Sequence, residues 1–164
     1  MALSNKAVAL VLMAISLIAA SVGIGWLSLN SLVGEERAGA GMTWEGFGLR
    51  LELDVALEER TLIIEMAVKN LASEPVALVF RTSQMWDTEV RDAEGHVLWR
   101  WSADKVFLQA VQYRELAPGE DMTFQAKWEA PGNGRYEVVG YFLGHIGDLS
   151  GPRPPPLVHH VEIS

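Results

Sequence analysis

The chain contains no cysteine. That absence excludes a disulfide framework, a thiolate zinc site, a thiol nucleophile and a lipid-bearing cysteine anchor, and it leaves the redox compartment unreadable from cysteine usage. Basic residues are also scarce. Of the 13 lysines and arginines only Lys6 precedes Arg37, so the rest of the chain sets 12 basic residues against 21 acidic ones, a formal charge of −9. A surface this acidic repels phosphate backbones, and nucleic acid drops out of the expected partners. Internal repeats are missing too, and beyond the N-terminal segment there is no convincing amphipathic helix. The 164 residues leave room for one membrane segment and one domain.

What is present begins with residues 7–29, which carry no charge. As a helix rising about 1.5 Å per residue they would span roughly 34 Å, enough for a bilayer core. Trp26 near the far end suits an interfacial anchor, with its ring apolar and its N–H wet. Lys6 lies before the run and Glu35, Glu36 and Arg37 lie after it, which places residues 1–6 in the cytoplasm and the remainder outside. The expectation is a single-pass cell-membrane protein with an uncleaved signal anchor. A cleaved signal peptide is the competing reading, supported by small residues at Ala19-Ala20-Ser21 and Ala38-Gly39-Ala40, although the apolar run exceeds the usual h-region of roughly 7–15 residues. Residues 30–43, rich in glycine and alanine, read as a linker.

From residue 44 the period changes to alternation, with Leu49, Leu51, Leu53, Val55 and Leu57 on one side and Arg50, Glu52, Asp54 and Glu58 largely on the other. The same pattern returns at Leu62, Ile64, Met66 and Val68, at Val76, Leu78 and Phe80, at Met122, Phe124, Ala126 and Trp128, and at Tyr136, Val138, Gly140 and Phe142. Turn chemistry separates the runs at Asp92-Ala93-Glu94-Gly95, Ala117-Pro118-Gly119-Glu120 and Pro131-Gly132-Asn133-Gly134. Short strands with tight turns predict an all-β, antiparallel β-sandwich over residues 44–164.

Within that domain, Ser83-Gln84-Met85-Trp86-Asp87, Val90-Arg91-Asp92-Ala93-Glu94-Gly95 and Val97-Leu98-Trp99-Arg100-Trp101-Ser102 resemble the BsuPI-type intracellular proteinase inhibitors. Val68-Lys69-Asn70, Phe107-Leu108-Gln109-Ala110, Leu116-Ala117-Pro118-Gly119-Glu120 and Gly134-Arg135-Tyr136 continue the likeness in the same order, over about residues 49–142. The resemblance implies an immunoglobulin-like sandwich and inhibition of a serine protease, with no reactive residue to carry over. It also implies a departure: the family is named for a soluble cytoplasmic inhibitor, whereas the charge bias here sets the domain outside, away from any intracellular protease.

The residues themselves point to packing and binding rather than catalysis. Trp86, Trp99, Trp101 and Trp128 sit at strand positions where large rings fill a core, with Trp99 and Trp101 sharing one face of a strand. Asn70, Asp87 and Gln109 suit hydrogen bonds that fix loops. No nucleophile elbow, paired carboxylate motif or metal-ligand spacing stands out, so no catalytic residue, metal or cofactor is expected. Asp148, Ser150 and His159 form a triad only on paper, and His159-His160 would face opposite sides of a strand. Residues 144–156, ending in Pro152-Arg153-Pro154-Pro155-Pro156, exclude a central strand and read as a connector or a partner-binding loop, with Arg153, Pro154, Pro155 and Pro156 as contact residues. The expected function is non-catalytic binding of a protein, a protease foremost. The alternative is an accessory subunit of a membrane complex, its helix packed through Ala14, Ser16, Ala19, Ala20, Ser21, Gly23 and Gly25.

Overall fold

The computed structural model describes residues 41–164. The expected membrane segment 7–29, the N-terminus 1–6 and nearly all of the linker lie outside these residues; among the described residues no helix is long and apolar enough to cross a membrane. The domain is built from strands β1 (Met42–Gly46), β2 (Leu49–Glu58), β3 (Thr61–Asn70), β4 (Val76–Phe80), β5 (Trp86–Arg91), β6 (Val97–Arg100), β7 (Gln112–Leu116), β8 (Asp121–Glu129), β9 (Gly134–Phe142), β10 (His145–Ile146) and β11 (Leu157–Ile163). One 3-10 turn, Trp101–Asp104, follows β6.

Two four-stranded antiparallel sheets, ordered β1-β2-β3-β8 and β11-β9-β5-β6, face each other, and a three-stranded sheet β10-β4-β7 adds Leu78, Phe80 and Leu116 to the same core. The alternation seen in the sequence is the reason. Leu51, Leu53 and Val55 of β2 pair with Val68, Met66 and Ile64 of β3, and those three pair onward with Met122, Phe124 and Ala126 of β8, so one face of the sheet is a continuous apolar row. Opposite it, Trp86 of β5 stacks on Phe124 with centroids 5.5 Å apart, and Tyr136 of β9 meets Trp128 edge-on at 5.1 Å. At Gly140 the sheets come too close for a side chain. A Cβ there would lie 2.7 Å from Met66 Cε and 3.0 Å from Leu53 Cδ1.

Several expectations hold in detail. Gly95 and Gly119 adopt positive φ, +87° and +77°, as their turns require. Trp86 and Trp128 are buried. Others need correction. The expected linker boundary at residue 43 falls inside β1, because Thr43 and Trp44 find ladder partners in Glu52 and Leu51 along an edge the local pattern does not reveal. Trp101 is not on a strand with Trp99: the chain leaves the sheet at Arg100 and turns, and both rings are only half-buried against the core. Residues 144–156 are not all loop, since His145 and Ile146 pair with Val79 and Leu78.

Candidate functional site

Strand β5 does not alternate, and that lack of alternation locates the most elaborated surface of the domain. Trp86, Thr88 and Val90 face the core, while Asp87, Glu89 and Arg91 face outward yet are mostly covered. Asp87 ties down the 3-10 turn: its Oδ2 accepts from Ser102 Oγ at 2.6 Å, and its Oδ1 accepts from Ser102 N at 3.2 Å and Thr88 N at 2.9 Å. Glu89 is enclosed by Arg91, Arg100 and Tyr141. Arg91 Nε donates to Glu89 Oε1 at 2.8 Å, Tyr141 OH donates to the same oxygen at 2.8 Å, and Arg100 Nη2 bonds Oε2. Arg91 continues to Glu137 at 3.0 Å. Burial alone would push the Glu89 carboxyl up, but the hydrogen bonds from Tyr141, Arg91 and Arg100 outweigh it and hold the group below its ordinary range. For Tyr141, burial and the neighbouring Glu89 charge push the phenol up. The network is a latch between β5, β6 and β9, with every oxygen of Glu89 used.

The latch and the Asp87 staple support a segment with a different character, residues 101–113. Trp101 rests on buried Trp86, with centroids 5.0 Å apart, and Phe107 folds back to 6.0 Å from Trp101. Lys105 Nζ lies 4.8 Å from the centre of the same indole. Leu108 is tied to Ser83 twice, its N–H donating to Ser83 Oγ at 2.9 Å and its carbonyl accepting from Ser83 N at 3.0 Å. Of the nine exposed large apolar side chains among the described residues, six fall between Val97 and Tyr113: Val97, Leu98, Val106, Leu108, Val111 and Tyr113. Exposed apolar side chains concentrated in one stretch are a feature of binding surfaces.

The proline-rich connector is differently built. Arg153, Pro155 and Pro156 are exposed and Pro154 is buried, so the expected contact set is divided between solvent and core. The connector is also bonded to the sandwich, with Ile146 N donating to Pro152 O at 3.0 Å, Gly147 N to Ala77 O at 2.9 Å and Arg81 Nη2 to Leu149 O at 3.3 Å. It therefore has the packing duty that its sequence alone did not suggest. In the paper triad, Ser150 Oγ donates to Asp148 Oδ1 at 2.6 Å as part of a turn, while His159 is buried on β11 between Leu157 and Val161. His160 is exposed, as alternation requires.

Asn70 fixes loops as expected, donating to Glu74 O and Leu116 O at 2.9 Å and accepting from Ala72 N at 2.8 Å. The structure also brings together a trio the sequence reading passed over. Asp92, Glu94 and His96, in the β5–β6 turn, each place one ligand-type atom within 4.8 Å of the others. Asp92 already accepts from Glu94 N at 3.0 Å and His96 N at 2.8 Å, and its Oδ2 lies 3.1 Å from His96 Nδ1. Desolvation pushes the Asp92 carboxyl up, yet the hydrogen bonds and charge of His96 together outweigh it and hold the group below its ordinary value, as suits a carboxylate that organises a turn.

A family model described as "Intracellular proteinase inhibitor" matches residues 49–146. The chain belongs to the BsuPI family. The matched segment runs from the start of β2 to the end of β10, so it includes the Glu89 latch and residues 101–113 and leaves out β1, β11 and the Arg153 connector. No curated protein matches the chain. Among solved structures it is similar to one described as a penta-heme cytochrome c552 from Thermochromatium tepidum, at 14% identity and a TM-score of 0.44, over 71% of this chain and 40% of that one. A likeness that slight says nothing about function here.

Proposed function

We propose that this BsuPI domain is a non-catalytic binding module that inhibits a serine protease, and that residues 7–29 anchor it to a membrane with the domain on the extracytoplasmic side. The observation that carries the binding reading is the concentration of exposed apolar side chains along residues 97–113, inside the segment that matches the family. Desolvating them costs little, whereas the acidic outer faces of the sheets are expensive to bury. The uncharged run and the charges flanking it support the anchoring and the topology. Arg153, with Pro155 and Pro156 beside it, would serve as an additional contact.

The test is to purify the full chain in mild detergent and titrate it against serine proteases of differing specificity. Stoichiometric inhibition of at least one is expected. If every protease keeps its full rate in the presence of excess protein, and the chain instead co-purifies in fixed ratio with membrane proteins, the inhibitor reading gives way to that of a complex subunit.

A further inference from the structure

We infer that residues 105–108 form the loop that enters the protease's active-site cleft, with Val106 as the side chain that fills its primary specificity pocket. This inference rests on the inhibitor reading and extends it: the target is a serine protease whose pocket accepts a branched aliphatic residue.

A loop that blocks a cleft has to reach it, present an extended backbone, and lose little entropy in doing so. Val106 is 99% exposed, which makes it the most accessible of the large apolar side chains among the described residues. Lys105 before it is extended, with φ −112° and ψ 150°. Over residues 103–111 only Phe107 is even half-buried, so the segment stands clear of the sandwich. Its shoulders are nevertheless held. On one side Lys105 N donates to Ser102 O at 3.1 Å, and the ammonium lies over Trp101. On the other, Phe107 packs on Trp101, and Leu108 is doubly bonded to Ser83. Trp101 itself rests on Trp86, which stacks on Phe124 across the core. The clamp thus converges, through Trp101, on the buried Trp86 ring and leaves Val106 as the free tip.

Charge separates this loop from the rest of the surface. Residues 105–111, Lys-Val-Phe-Leu-Gln-Ala-Val, contain no carboxylate in a chain of formal charge −8. Lys105 Nζ is paired with the exposed Asp104 Oδ1 at 2.8 Å, so the apolar tip beyond it can be desolvated while that ion pair stays at the rim in water. The Arg153 connector lies outside the matched segment and has its central Pro154 buried, so it fits the role of principal contact less well.

The clamp also accounts for a loop that binds like a substrate yet persists. Attack by the protease serine oxygen on the Val106 carbonyl carbon would break the Val106–Phe107 C–N bond. The serine proton would pass through the protease's histidine to the Phe107 nitrogen. Because Phe107 is held on Trp101 and Leu108 on Ser83, the new amine stays beside the acyl ester. It can re-form the amide, regenerating the free serine with its proton, faster than water displaces it.

The experiment uses the full chain in detergent, with the variants Val106→Asp, Val106→Arg and Ser83→Ala, an elastase-type protease that prefers small aliphatic residues and a trypsin-type protease with an aspartate at the base of its pocket. Because the Val106 side chain is solvated, both Val106 variants should melt like the parent. Val106→Asp should weaken inhibition of the elastase-type enzyme by roughly 10- to 100-fold, the equivalent of losing one buried valine. Val106→Arg should transfer inhibition to the trypsin-type enzyme, a gain that needs no knowledge of the natural target. Ser83→Ala removes the Leu108 N–H bond to Ser83 Oγ and keeps the backbone bond, so it should weaken inhibition by a few-fold at most and speed cleavage of the Val106–Phe107 bond. Unchanged inhibition by Val106→Asp would overturn the loop assignment while leaving the inhibitor reading standing. Rapid cutting of Val106→Arg at position 106 by the trypsin-type enzyme, without inhibition, would also overturn it. Failure of parent and Val106→Arg alike to inhibit any protease would remove both.

Discussion

The Glu89 latch provides the sharpest test of how the outer face of β5 is held. Its carboxylate is 1% exposed and bonded by Arg91, Arg100 and Tyr141, whereas the two arginine side chains keep 30% and 48% of their exposure. Replacing Glu89 by alanine takes away the acceptor of the Tyr141 O–H and of the inner edge of Arg91, but Tyr141 OH still accepts from Arg91 Nη2 at 3.1 Å, both guanidinium groups can turn toward water and Arg91 retains Glu137. A fully buried pair broken on one side would cost about 3–5 kcal/mol, and partial solvation of the cations moves the expectation to roughly 3 kcal/mol. For a domain of this size that corresponds to a fall of roughly 10 °C in Tm. Glu89→Gln keeps the shape but only one acceptor oxygen, its NH2 facing a former donor, and should cost about 2 kcal/mol. The pH dependence follows from the direction of the shift. Because the folded-state pKa of Glu89 lies below its ordinary 4.5, its contribution is fully present above that value and disappears as pH falls through the folded value. The gap between parent and Glu89→Gln, followed by near-UV circular dichroism of the tryptophans during urea titration, should therefore be widest near neutrality and close in acid. Equal midpoints at neutral pH, or a gap that persists in strong acid, would refute the account.

Thr88 Oγ1 is buried without a hydrogen-bond partner, so Thr88→Val should raise stability by about 1 kcal/mol in the same urea titration, and a loss would mean that the hydroxyl is satisfied after all. Gly140→Ala inserts a methyl against Met66 and Leu53, whose flexible tips can yield in part, and should cost about 1–3 kcal/mol. Exchanging residues 148–156 for a glycine/serine linker of equal length should lower the melting temperature, because the buried Pro154 ring is lost and the unfolded chain gains freedom; an unchanged melt would show the connector to be free of the sandwich. The proposed topology predicts that a membrane-impermeant amine reagent applied to intact cells labels exposed Lys105, and labelling only after lysis would set the domain on the cytoplasmic side.

The alternating runs of β2, β3, β8 and β9 were legible in the sequence because a strand with one buried face writes that face into every second residue. The turns at Gly95 and Gly119 were legible for a similar local reason, since only a residue tolerant of positive φ serves there. Asn70 and Asp87 could be singled out as loop-fixing residues before their partners were known. The landmarks that resemble BsuPI inhibitors lie in the segment that the family model matches.

What escaped the sequence depends on contacts between residues far apart in the chain. Strand β5 shows no alternation because its outward residues are covered by Arg100, Ser102 and Tyr141, which arrive from β6, the following turn and β9. Strand β1 exists because an edge of β2 was open to receive it. The connector at residues 147–156 looked unburdened until its carbonyls met Arg81 and Ile146. Val106 is apolar like any core residue, and nothing local distinguishes it from one. Only the clamp of Trp101 and Ser83 on its neighbours decides that its side chain is left entirely in solvent.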